Sequence, residues 1–182
     1  MTVIIIVAIL VILAIIVISI YNRLVALRQN CRQGVADIDA QLRQRHDLVP
    51  NLVGTVKGYA THERETLDAV IAARNSAAAS PSPESESKLR GSLDRLLALG
   101  EAYPDLKASA NFQSLQGELA DLEDKLAAAR RALNAAVSRF NAAIESFPAV
   151  LFAGMLGFQH EDFSRLDPSE KGVVDQVPQV SF

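Results

Sequence analysis

Residues 3–20 read VIIIVAILVILAIIVISI, a run without charge, glycine or proline in which Ser19 is the one polar side chain. As a helix rising ~1.5 Å per residue, a run of this length reaches about 27 Å, close to the hydrocarbon thickness of a bilayer. The run predicts a transmembrane helix, with residues 1–20 as the anchor. A cleaved signal peptide competes, but it needs a basic leader, a shorter apolar core and small residues at the cleavage site. Only Met1 and Thr2 precede the run, and Ile18, Ile20, Tyr21 and Asn22 make a poor cleavage context. Arg23, Arg28 and Arg32 follow it, so the positive-inside bias places the N-terminus outside and everything after Tyr21 in the cytoplasm. Tyr21 falls where an amphipathic ring settles at headgroup level.

Outward from the anchor, about 160 residues remain, enough for one compact domain. The hydrophobic content of 49% is raised by the run and by alanine, while aromatics make up 5% and tryptophan is missing. That mixture suits close-packed helices better than a sheet. The net charge of −3 comes from both signs spread along the chain, so no basic stripe is offered to DNA or RNA and both are excluded as partners. Cys31 has no second cysteine to pair with, and its place on an apolar helical stripe reads as buried filler in a reducing compartment.

Leu24, Leu27, Cys31, Val35, Ile38, Leu42 and Val49 recur at helical spacing with polar residues between them, an amphipathic helix continuous with the span. Pro50 lacks an N–H and disfavours helical geometry at Val49, so this helix is expected to stop near residues 45–47. Asp47 would cap the next helix, with Pro50 in its first turn, as a tight hairpin. The second helix would carry Leu52, Val53, Val56, Tyr59, Ala60, Leu67, Val70 and Ile71 on one face and run to about residue 79. SPSPESE at residues 80–86 reads as a solvated linker. A third helix with Leu89, Leu93, Leu96 and Leu97, expected to be the shortest, ends before Pro104. The fourth has the clearest repeat: Phe112, Leu115, Leu119, Leu122, Leu126, Ala129, Leu133, Ala136, Phe140 and Ala143 form a heptad seam that requires a long partner.

Short linkers between four apolar-faced helices favour an antiparallel bundle over an isolated coiled coil. The expected fold class is therefore all-α: an N-terminal single transmembrane helix, an antiparallel four-helix bundle with long helices over residues 21–146, and an irregular C-terminal tail over residues 147–182. In an up-down path the tail starts near the bilayer. It holds Pro148, Pro168 and Pro178 and five of the seven phenylalanines, Phe147, Phe152, Phe158, Phe163 and Phe182. Its AVLFAGMLGF predicts a short apolar helix over residues 148–155 closed by a glycine turn. The tail can pack on the bundle as a strap, or meet lipid or a neighbouring subunit, and we expect it to support assembly.

YNRLVALR at residues 21–28, DIDAQLRQRHDLVPNLVGTVKGYATHE at 37–63, EAYPDLKA followed by Asn111 and Phe112, ARRALNAAVSRFNAAI at 129–144 and the closing Pro178 to Phe182 together resemble the LemA family. The resemblance covers essentially the whole chain. It implies a bacterial inner-membrane protein with a single span and a cytoplasmic four-helix bundle, and it brings no established enzymatic activity. Three departures bear on packing alone: Leu133 stands before Asn134 where an aromatic is frequent, the tryptophan frequent before the aspartate of the first motif is absent, and Gly54 replaces a larger residue.

Each polar candidate for chemistry has a plainer role. His46 and Asp47 at the expected hairpin tip are explained by capping and solvation rather than acid–base work. His62 with Glu63 and His160 with Glu161 suggest a metal, but no H-E-x-x-H and no Glu-x-x-His spacing exists, so no metal, cofactor or catalytic residue is assigned. Asn51, Asn111, Asn134 and Asn141 lie near helix starts or on the heptad helix, and the last two share a face on which hydrogen bonds could fix register. Lys57, Glu63 and Arg64 read as a solvated charged face. Gly54 and Gly58 form a GxxxG outside the span, where a neighbouring helix could come close. No phosphate loop, nucleophile elbow or Cys/His triad is present.

The leading functional expectation is a non-enzymatic, membrane-anchored scaffold or adaptor that self-assembles as a homo-oligomer or binds membrane-associated protein partners. A membrane-tethered sensor bundle is the alternative, and with neither a second span nor an output domain it would signal through a partner protein. A hydrolase acting at the membrane is the third class, and the residue constellations that it requires are missing.

Overall fold

A computed structural model describes residues 1–161 of the chain. Phe163, Phe182, Pro168 and Pro178, named above for the tail, lie outside the described residues. The described residues are all-helical, without strands: α1 Thr2–Lys57, α2 Arg64–Ala79, α3 Pro83–Ala102, α4 Pro104–Lys107, α5 Ala110–Glu145 and a 3-10 turn Ala149–Leu151. α1 contains the apolar run, none of which is buried against the rest of the chain, and it is long and apolar enough to cross a membrane.

The expected hairpin at Pro50 is not there; α1 passes straight through that proline. In a helix, the N–H of residue 50 would donate to the carbonyl of residue 46, and proline cannot supply it. Arg74 of α2 does so instead, its Nε donating to the His46 carbonyl oxygen at 3.1 Å. The outward-facing Pro50 therefore leaves no orphaned acceptor. Removing the Arg74 side chain should cost about 1–3 kcal/mol, the penalty of an unpaired half-buried carbonyl. In a Pro50→Ala background the backbone N–H returns and Arg74→Ala should cost much less, so denaturation of the two single variants and the double variant checks the pairing. Additive losses would show that Arg74 is not the substitute donor.

The real break follows Lys57. Val56 oxygen accepts from both Tyr59 N at 3.0 Å and Ala60 N at 2.8 Å, tightening the helix end. Residues 58–63 make the turn, so Leu52, Val53 and Val56 belong to α1, and α2 is the shortest of the long helices, not α3. The SPSPESE break is real but short. Ser82 caps α3 in a reciprocal box, its Oγ accepting from Ser85 N at 3.1 Å and its N–H donating to Ser85 Oγ at 3.0 Å, with Pro83 in the first turn. Residues 83–86 are thus helical, and Ser85 and Glu86 are buried rather than solvated.

The described residues fall into two compact units, residues 39–127 and residues 1–38 with 128–161. In the first, Val49, Leu52, Val53 and Val56 of α1, Leu67 and Val70 of α2, Leu89, Leu93 and Leu96 of α3, Leu106, and Phe112 and Leu119 of α5 share one core. Gly100 admits Phe112: a Cβ there would lie 2.9 Å from the ring, closer than real Cβ atoms come.

In the second unit, Leu24 and Cys31 of α1 pack with Phe140 and Ile144 of α5 and with Ala149, Ala153 and Phe158 of the tail. Gly34 lets Leu133 approach, with a built Cβ meeting Leu133 Cδ1 at 3.1 Å. Residues 149–151 make a single 3-10 turn in place of the expected apolar helix. The glycine turn is present, with Gly157 at φ 76° and Phe158 N donating to Ala153 oxygen at 2.9 Å.

Candidate functional site

The buried apolar stripe of α1 runs through Ile38, Leu42, Val49, Leu52 and Val56. Its steps of three and four leave one slot between Leu42 and Val49, and Arg45 fills it with 1% of its surface exposed. On α3 the same spacing runs Glu86, Leu89, Leu93, Leu96 and Gly100, all buried, so Glu86 is the first member of an otherwise apolar seam. Two helices thus each place one charge in the core, where an unpaired charge is untenable.

They neutralise one another. Arg45 Nη2 donates to Glu86 Oε2, and Arg45 Nη1 donates to Glu123 Oε1 of α5 at 2.7 Å. Glu123 Oε2 accepts in turn from Arg90 Nη2, which carries the network out to solvent. On the inner side, His46 Nε2 lies 3.0 Å from Glu86 Oε1. A carboxylate only accepts, so the imidazole hydrogen sits on Nε2. The chain of contacts His46, Glu86, Arg45, Glu123, Arg90 ties α1, α3 and α5 with two cations, two anions and one ring. Arg45 Nε has no partner among the described residues.

This placement corrects the sequence reading of His46, which is buried and bonded rather than solvated at a hairpin tip. Asp47 is exposed and caps nothing; its carboxylate lies 4.0 Å from Arg74. Glu63 is half-buried and accepts the Tyr103 hydroxyl at 3.0 Å, which raises the Tyr103 pKa, so it joins the turn after α1 to the connection after α3 rather than standing on a free charged face. Lys57, Arg64 and His62 are exposed. His160 is exposed and pairs with Glu145 at 3.0 Å. Among the described residues no group of three His, Cys, Asp or Glu side chains is placed to share a metal ion.

The asparagines divide. Asn51, Asn111 and Asn134 are exposed, whereas Asn141 binds the Glu161 backbone in both directions, its Nδ2 donating to the oxygen and its Oδ1 accepting from the N–H, each at 3.1 Å. Asn141 therefore pins the tail, and no Asn134–Asn141 ladder forms. Gly54 has nothing within 4 Å of a built Cβ, so the GxxxG is not where a neighbouring residue comes close; Gly34 and Gly100 are. Cys31 is buried as expected, and burial, with the Glu161 charge behind it, pushes its thiol pKa up.

The model of the LemA family matches residues 34–182. The chain belongs to the LemA family. No curated protein matches it. Every member of the buried network in this LemA chain falls inside the matched residues.

Burial alone would raise the Glu123 carboxyl, but the hydrogen bonds from Arg45 and Arg90 outweigh it and hold the group below its ordinary 4.5. A carboxylate lowered on folding contributes stability that is full above its unfolded value and is lost as pH falls through the folded one. The margin of the wild type over Glu123→Gln should accordingly be constant from neutrality down to about pH 5 and shrink below about 4.5. Melting curves of both proteins across that range check it, and a margin independent of pH would show that the ionised carboxylate contributes nothing.

Proposed function

We propose that this LemA family member is a membrane-anchored, non-enzymatic helical scaffold or adaptor, acting by self-assembly or by holding membrane-associated protein partners. The observation that carries the reading is α1: a single helix combines an unpartnered apolar run of bilayer length with a buried seam that organises the helices after it. The charged cluster supports a structural role, because its carboxylates and guanidinium groups are engaged with one another and present no free nucleophile beside a base. The finer architecture that we infer is an antiparallel four-helix bundle within residues 39–127, from the end of α1, α2, α3 and the start of α5. Its support is the shared core of those helices and the brevity of the 80–82 connection.

The three arginines after the run support an external N-terminus and a cytoplasmic bundle, and membership of the LemA family is our ground for inferring the inner membrane of a bacterium. Ser80 is exposed between α2 and α3, and Cys31 is buried, so a Ser80→Cys variant reports orientation cleanly. An impermeant thiol reagent should leave it unlabelled in intact cells and label it after lysis. Labelling from outside would reverse the topology. For the scaffold role, light scattering in detergent should find more than one chain per particle, or crosslinking in cells should join the chain to another protein. A strict monomer that crosslinks to nothing would defeat both forms.

A further inference from the structure

Residues 147–157 read FPAVLFAGMLG, eleven residues without one polar side chain. Ala149 and Ala153, joined further on by Phe158, face inward and are buried on α1 and α5. Phe147, Val150, Leu151 and Met155, at a spacing of three, one and four, point the other way with 80%, 51%, 60% and 87% of their surface exposed. Within residues 147–155 the buried side chains are two alanines and the four most exposed are bulky and apolar, so this segment turns its larger apolar surface away from its own chain.

The place of this ridge identifies what covers it. Its inner face packs on a cluster that includes Leu24, Leu27 and Ile20, the last residue of the apolar run. Phe158 sits 5.6 Å from Tyr21, edge to face, and Arg28 lies over the same ring at 5.0 Å. Leu133 meets Gly34, so α5 approaches Ile20 as it runs toward the tail, and the fourteen residues from Gly34 back to Ile20 span about 21 Å of helix.

We propose that residues 147–155 dock on the bilayer surface, with Phe147, Val150, Leu151 and Met155 among the lipids. The proposal rests on residues 3–20 spanning the membrane. An interfacial segment sinks its apolar side roughly 5–10 Å into the boundary between headgroups and acyl chains, and a ridge beside the end of a span lies at that level. A second copy of the chain is a poorer occupant, since a stable protein interface uses roughly 20–30 residues a side and the ridge offers four.

The test uses the full chain in a Cys31→Ala background, with an environment-sensitive fluorophore on Met155→Cys, Leu13→Cys or the exposed Ser114→Cys. Each protein is reconstituted in phosphatidylcholine/phosphatidylglycerol vesicles containing lipids spin-labelled near the headgroup or at mid-chain. The Met155 probe should be quenched severalfold more than the Ser114 probe by the headgroup-proximal label and be shielded from aqueous iodide, while the Leu13 probe is quenched at mid-chain. Quenching at Leu13 but not at Met155 overturns lipid docking and leaves the anchor standing. A Met155 probe shielded from both lipid and iodide also overturns it, in favour of cover by protein. An unquenched Leu13 probe defeats the span, and the docking with it.

Discussion

Arg45→Met should destabilise the protein by about 3–5 kcal/mol, the range seen when one partner of a buried ion pair is removed. Methionine keeps an unbranched apolar stem in the seam slot while removing the guanidinium, so the loss falls mainly on the charge and its hydrogen bonds. Glu86, buried beside Leu89, would keep only its contact with His46, and Glu123 would keep only Arg90. Replacing the pair together, Arg45→Met with Glu86→Leu, should recover most of the loss, because apolar residues of similar volume frequently equal or exceed a buried pair in stability. Chemical denaturation of the full chain in detergent measures all three proteins. A loss under about 1 kcal/mol for the single variant would place the pair with solvent-screened surface bridges, against its burial.

That network was partly legible in the sequence. The stripe of α1 has a gap of seven between Leu42 and Val49, and a helix that keeps steps of three and four must put a residue there; it is Arg45. Glu86 similarly precedes Leu89 by three. Reading the stripe by apolar residues alone passed over both, and assigning SPSPESE to solvent hid Glu86 further. Pro50 misled for a different reason. Proline removes a local donor, and the local rule ends a helix there, but the replacement donor, Arg74, comes from a helix that the chain reaches only after another turn. No pattern within a few residues of Pro50 carries that information. The heptad on α5 is written in local spacing, and its Leu119, Leu122, Leu126, Leu133 and Phe140 are all buried as that spacing predicts. The apolar run was legible because seventeen apolar residues among eighteen need no distant partner to be read, and the structure leaves them uncovered on a helix long and apolar enough to cross a membrane.

Phe140→Ala carries the second large expectation, a loss of about 3–5 kcal/mol. Phe140 is fully buried among Leu24, Cys31 and Ile144, and its ring meets Phe158 of the tail with centroids 6.3 Å apart in an edge-to-face arrangement. The cavity would therefore open on the side where the tail packs. Deleting either ring removes the same contact, so Phe140→Ala and Phe158→Ala should be non-additive, the double variant losing less than the sum of the singles by about 0.5–1.5 kcal/mol. Phe140→Ala should also speed hydrogen exchange at the Phe158 amide, which donates to Ala153 in the glycine turn, without the same effect in residues 39–127. Strict additivity, with exchange at Phe158 unchanged, would mean that the tail is held by Asn141 and its two bonds to Glu161 rather than by the aromatic pair.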